Sequence, residues 1–219
     1  MDLLLWQLGD SGFPAGGFAH SAGLEAAVQH GEVCGWKELE RFTRDVIRQA
    51  GRSMLPLVSA AHAERGDLAE LDALCDVFLS NPVANRASRA QGRAFLTACV
   101  RSFPENPVRD LQEAMTRQRV FGHYAPLFGA ALRALDVGRP SAQRLFLFLT
   151  SRAVTSASVR LGLVGTYEAQ RLQTTMASQI DRTLELCAQR RPLEIAQTVP
   201  LVDLFQSTHD RLYSRLFQS

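Results

Sequence analysis

Apolar residues recur along this chain at three- and four-residue steps, the spacing that lines one face of a helix. Leu68, Leu71, Leu74, Cys75, Phe78 and Leu79 show it well, and Asp67 stands where an N-cap belongs. No stretch alternates convincingly in the two-residue rhythm of a half-buried strand. Glycine and proline favour helix ends over interiors. Gly35, Gly66, Pro82, Pro104, Pro107, Gly138, Pro140 and Pro192 therefore bracket predicted helices near 37–65, 67–80, 84–103, 108–119, 124–136, 141–161 and 166–190. Pro56 is expected to break or kink the first of these. The most apolar segment runs from Ser141 to Gly162 and contains Leu145-Phe146-Leu147-Phe148-Leu149. Five apolar residues alone could be a buried strand, but the continuation through RAVTSASVRLG reads as a central helix apolar on most sides. Arg144, Arg152 and Arg160 punctuate it at eight-residue steps. Each step turns the helix about 80° beyond two full turns, so the three spiral instead of forming one stripe.

Composition agrees with this all-α reading. Leucine and alanine dominate, isoleucine and tyrosine are scarce, and 219 residues suffice for one large domain with a real core. A single helical bundle of roughly eight to ten helices is expected over 1–219, because no repeat or low-complexity linker divides the chain. With 46% hydrophobic and 21% charged residues and a net charge of +2, the chain has the profile of a soluble globular protein, not of a strongly basic nucleic-acid binder. Lys37 is the one lysine against 23 arginines, a skew that fits either bidentate pairing or biased base composition. Cys34, Cys75, Cys99 and Cys187 show no paired spacing and are expected to be reduced core thiols. The run Leu3 to Leu8 is too short for a signal-peptide core, and no stretch reaches the roughly 20 apolar residues of a membrane span, so a cytoplasmic location is expected.

The segment Gly9-Asp10-Ser11-Gly12-Phe13-Pro14 differs by one letter from the nucleophile segment of trypsin-like proteases. Those enzymes draw a histidine and an aspartate from earlier in a β-barrel chain. Here ten residues precede Ser11, none is histidine, and the body is helical, so the likeness carries no triad. The phosphate-loop, dinucleotide, HExxH and GxSxG patterns are all absent from the sequence. His30 and Cys34 stand four apart, but Gly31 and Gly35 make that stretch a turn, so no self-contained metal site is expected. Arg86, Arg89 and Arg93 share one helical face, which is either solvated or docks an acidic partner or phosphate.

Seven of the fifteen glycines fall within the first 35 residues. Such clustering implies a shaped loop. It is either a tight junction between helices or a recognition loop presenting Phe18 and His20. At the other end, Leu212, Tyr213, Leu216 and Phe217 predict a short amphipathic helix within 207–219, whose apolar side must be buried against the body or a partner.

FPAGGFAHSAGLEAAV (13–28), HYAPLFGAALRAL, SASVRLGLVGTYEAQRL and the terminal HDRLYSRLFQS, in that order, resemble the UreF family of urease accessory proteins. The resemblance implies an all-helical homodimer without catalytic residues, cofactor or metal ligands of its own. It implies a chaperone that bridges a UreD/UreH-type accessory protein and the UreG-type GTPase, so that nickel reaches apo-urease. The family's N-terminal motif maps onto Pro14, Gly16, Gly17, Phe18, His20, Ser21, Gly23, Leu24 and Glu25, and its C-terminal motif onto Leu212 to Phe217. Arg144 and Phe148 fall where the family has dimer or GTPase contacts. The expected partner-binding residues are thus Phe18, His20, Glu25, Arg144, Phe148, Tyr213, Arg215, Leu216 and Phe217. Gln218 stands where the family often carries arginine.

Overall fold

Caps and glycines set the helix boundaries. The computed structural model describes residues 2–63, 67–103, 108–117 and 120–219. Among these lie eleven α-helices and no strand: α1 (Asp2–Gly9), α2 (Leu24–Gln29), α3 (Trp36–Ser53), α4 (Leu55–His62), α5 (Leu68–Phe78), α6 (Pro82–Ser102), α7 (Val108–Arg117), α8 (Tyr124–Ala134), α9 (Arg139–Arg160), α10 (Thr166–Cys187) and α11 (Pro200–Thr208). Single 3₁₀ turns occupy Gly17–Ala19, Pro192–Glu194 and His209–Arg211. The helix expected over 37–65 divides between Ser53 and Leu55. Pro56 sits in the first turn of α4, where its missing N–H leaves no gap in the ladder. Asp67 caps α5 by accepting the Ala69 and Glu70 amides at 2.8 and 3.3 Å, and Asn81 does the same for α6. The expected boundary residues Gly66, Pro104 and Pro107, and the end of the helix expected over 108–119, lie outside the described residues.

The central position of α9 follows from its composition. It packs against α1, α2, α3, α4, α8 and α10, and buries Leu145, Phe146, Leu147, Leu149, Val154 and Ala157. Phe95, Tyr124, Phe128 and Phe146 form an aromatic cluster with centroid separations of 5.1 to 5.9 Å. Helix α8 lies hard against α4 because Gly129 has no side chain; a Cβ there would sit 2.2 Å from the Val58 carbonyl oxygen.

Buried polar groups stitch the loop before α8 to the body. The Asp72 carboxylate, fully buried on α5, accepts the Phe121, Gly122 and His123 amides at 2.6, 3.2 and 2.7 Å. The buried His123 ring sits between Asp76 (Nε2, 3.0 Å) and Ser88 (Nδ1, 3.1 Å), and the Ser88 hydroxyl also accepts the Tyr124 amide. Burial would raise the pKa of Asp76, but hydrogen bonds from Asn85, Arg89 and His123 outweigh it and hold the carboxyl down at about 2. Burial also pushes the His123 pKa below that of a free imidazole.

The arginine face of α6 is engaged within the chain. Arg86 meets both Asp210 oxygens at 2.9 Å, Arg89 pairs with Asp76 and lies 4.6 Å from the Phe121 ring centroid, and Arg93 donates to the Phe121 carbonyl at 2.9 Å. Cys75, Cys99 and Cys187 are buried, as expected. Cys34 is exposed instead, because it sits in the turn after α2 with its thiol directed at the Gly31 carbonyl.

Candidate partner-binding site

The glycine-rich loop reaches its shape through left-handed residues. Gly16 (φ 75°) and Gly23 (φ 85°) adopt conformations that side-chain-bearing residues rarely take. At Gly23 a Cβ would also crowd the Val202 carbonyl and the Gln206 amide, so α2 starts directly against α11. The loop between these glycines carries Phe18, His20 and Ser21.

The tail lies along that loop. It is not the amphipathic helix the apolar spacing predicted: regular α-helix ends at Thr208, a single 3₁₀ turn follows, and residues 212–219 are non-helical. The reason lies in where the tail's amides go. Leu216 N–H and Phe217 N–H donate to the Glu25 carboxylate at 2.6 and 3.2 Å, and Gln218 N–H donates to the Ala19 carbonyl at 2.8 Å. Donors given to another part of the chain cannot close i→i−4 bonds. Ser21 N–H in turn donates to the Ser219 carbonyl at 2.7 Å, and His20 Nδ1 lies 2.6 Å from the Ser219 hydroxyl.

Glu25 is the hub of this lacing. It is 2% exposed, and beyond the two tail amides it meets Nε2 of the fully buried His209 at 3.0 Å. His209 Nδ1 has no hydrogen-bond partner among the described residues. Burial, and then the neighbouring His209, push the His20 pKa down to about 4. Arg160, from the end of α9, closes the arrangement. Its guanidinium lies 4.0 Å from the Phe18 ring centroid and 4.1 Å from that of Phe217, and donates to the carbonyls of Phe18 and Leu216. An arginine between two aromatic rings is a stable, planar cation–π arrangement.

The expected site residues therefore divide. Phe18, His20, Glu25, Leu216 and Phe217 come together around Arg160. Tyr213 and Arg215 continue the same tail, Arg215 paired to Asp210 at 3.4 Å and Tyr213 fully exposed. Phe217 is buried, Leu212 is partly buried and Leu216 is half exposed, so within the tail motif the most exposed apolar side chains are Tyr213 and Leu216. Arg144 and Phe148 lie elsewhere on α9, about 24 and 18 Å from Arg160 along the helix axis. Arg144 pairs with Asp181 of α10, and the Phe148 ring faces Arg152 at 5.9 Å. The three spiralling arginines thus serve three separate contacts, since Arg152 donates to the Gly9 carbonyl. Arg160, His209 and Asp210 join the site without being among the expected binding residues, although each lies within a sequence block that resembles the family.

The loop and tail together present the exposed side chains of Tyr213 and Leu216 on a backbone held by Glu25, Ala19 and Ser21. Ser11 makes no hydrogen bond to His20, whose Nδ1 is directed at Ser219. Among the described residues no three His, Cys, Asp or Glu side chains cluster as a metal ion would need, and no helix is long and apolar enough to cross a membrane.

Comparison with known proteins gives this arrangement its context. A family model described as UreF matches residues 33–177, from just before α3 into α10. "Urease accessory protein F" of Oryza sativa subsp. indica is 37% identical over 97% of this chain and 83% of its own length. The chain belongs to the UreF family. Its relatives span kingdoms: "Urease accessory protein F" of Arabidopsis thaliana is 37% identical over 98% of this chain and 91% of its own, and "Urease accessory protein UreF" of Mycobacterium tuberculosis (strain ATCC 25177 / H37Ra) is 30% identical over 99% and 98%. These alignments run well past the family-model match. The laced loop and tail of this UreF family member lie outside the family-model match itself.

Proposed function

We propose that this protein is a non-catalytic assembly factor of urease maturation, a cytoplasmic homodimer that holds a UreD/UreH-type accessory protein and a UreG-type GTPase together while nickel enters apo-urease. The observation that carries the reading is the exposure of Tyr213 and Leu216 on a tail whose own backbone is pinned to Glu25, Ala19 and Ser21. A pre-ordered segment loses little conformational entropy on binding, so its two free apolar side chains can be spent on a partner. In this reading 1–219 is one helical domain, residues 1–25 and 207–219 form the accessory-protein surface, and Arg144 and Phe148 serve the homodimer or the GTPase. The reading of the protein as a generic scaffold docking acidic or nucleic-acid partners through Arg86, Arg89 and Arg93 is weaker, because all three are already paired within the chain.

Co-purification tests it. Mixed with a UreD-type and a UreG-type protein, the chain is expected to give one ternary complex on size-exclusion chromatography, and to restore active urease in a reconstituted system. Recovery of only binary mixtures, or full urease activation without this chain, would overturn the proposal.

A further inference from the structure

A second surface, sharing no residue with the loop and tail, lies between α3 and α10. The two helices run in the same direction: Trp36 at the start of α3 is faced by Arg171 early in α10, and Gly51 near the end of α3 touches Thr183. A Cβ on Gly51 would stand 2.2 Å from Thr183 Cγ2, so the helices meet there and leave a groove of about 780 Å³ along their outer side.

Its lining is one-sided in charge. Arg44, Arg48 and Arg52 come from successive turns of α3 and Arg182 from α10, and no Asp or Glu lines the groove. Arg44 is offset by Glu40 at 2.7 Å and Arg48 loosely by Asp45 at 3.5 Å, both exposed pairs of the kind that contribute little. Arg52 and Arg182 have no ion pair among the described residues. Thr175, Ser178, Gln179 and Thr198 add hydroxyl and amide groups. Buried Met176 and Cys187 form an apolar floor, and Leu186, more than half exposed, stands at the edge.

We propose that this groove binds an acidic, partly apolar polypeptide segment of a partner protein. Arginines four apart on a helix are spaced about 6 Å along its axis. Alternate side chains of an extended strand are spaced about 6.8 Å and the intervening ones point the opposite way, so carboxylates at every second position meet successive arginines of α3 while an intervening apolar residue faces Leu186 of α10. Single-stranded nucleic acid would call instead for aromatic stacking platforms, and no aromatic side chain lines the groove.

The probe is a fluorescein-labelled dodecapeptide with glutamate at alternate positions, leucine at two intervening positions and serine at the rest. Fluorescence anisotropy on the full-length protein is expected to show binding that weakens at least tenfold from 50 to 300 mM NaCl, at least tenfold in Arg52→Glu/Arg182→Glu, and several-fold in Leu186→Ala. Arg44→Gln/Arg48→Gln supplies a second, milder test, with circular dichroism checking the fold of each variant. Equal affinity for wild type and both arginine variants, equal affinity for the glutamine version of the peptide, or tighter binding of a 12-nucleotide RNA would each overturn the proposal. Protein lacking residues 212–219 is expected to bind the peptide normally, and Arg52→Glu/Arg182→Glu to retain accessory-protein capture. Loss of one activity therefore leaves the other readable.

Discussion

The Glu25 carboxylate accepts the Leu216 amide at 2.6 Å, across 191 positions of chain. A buried carboxylate in the first turn of a six-residue helix fixes the path of the opposite end of the protein. Replacing Glu25 by alanine leaves two tail amides and His209 Nε2 without their acceptor, and each unsatisfied buried donor costs about 1–3 kcal/mol. Glu25→Ala is expected to lower the melting temperature and to open residues 212–219 to limited proteolysis. A tail equally protected in the variant would show that Phe217 burial alone suffices to hold it.

Acid is expected to loosen the same region. The folded-state pKa of His20, about 4, lies below the ordinary 6.5, so the native state binds fewer protons than the unfolded chain between those values. Stability from this group is complete above pH 6.5 and is lost as pH falls toward 4, to a ceiling of about 3 kcal/mol. His123, also shifted downward, acts with the same sign. The comparison of urea unfolding for wild type and His20→Asn at pH 7.0, 5.5 and 4.5 isolates the first: the wild type should lose more stability than the variant. Parallel losses would place the acid sensitivity elsewhere.

Helix α8 supplies a check on packing. Gly129→Ala would thrust a methyl group into the Val58 carbonyl, backbone against side chain, with no flexible neighbour to yield. Overpacking of this kind costs about 1–3 kcal/mol. The melting temperature should fall by several degrees, with helical content by circular dichroism retained. An unchanged melting temperature would mean that α4 and α8 can part freely.

Elements set by local chemistry were legible in the sequence, and those set by distant partners were not. Asp67 and its apolar stripe specify α5 within a dozen residues. Pro56 announces the α3–α4 break, and the apolar run from Leu145 places α9 in the centre. The tail misled because Leu212, Tyr213, Leu216 and Phe217 have helical spacing, while the competing acceptor, Glu25, is nearly 200 residues away. The same holds for Asp72, whose i, i+4 relation to Asp76 gives no hint that one carboxylate gathers three loop amides and the other receives His123. Of the site, the residue types at both ends were legible. Their junction through Arg160 was not, since periodicity alone cannot say what an arginine on a central helix will stack against.

That junction can be tested separately from the tail's exposed tip. Arg160→Lys keeps the charge but loses the planar group lying against both Phe18 and Phe217, so it is not a conservative change. It is expected to weaken accessory-protein capture about tenfold by misplacing the tail, with a modest fall in melting temperature. Surface-plasmon-resonance affinity that matches wild type would show that Glu25 positions the tail without help.

Tyr213 and Leu216 are the reverse case: they contribute binding and little stability. Tyr213 makes no hydrogen bond and is fully exposed, so Tyr213→Ser removes nothing from the folded chain. Leu216→Ser deletes a half-exposed side chain while keeping the backbone amide that Glu25 holds. Both variants should melt within about a degree or two of wild type, as surface substitutions do. If the tail is the gripping surface, truncating buried aromatic and leucine anchors at its interface costs about 2 kcal/mol or more for the dominant one, close to a thirtyfold loss in affinity. A double variant that folds as wild type yet fails to retain a UreD-type protein on a column would tie capture to these two side chains. One that retains it fully would move the interface away from the tail, while leaving the clasp between Glu25, Arg160 and Phe217 as a purely internal device.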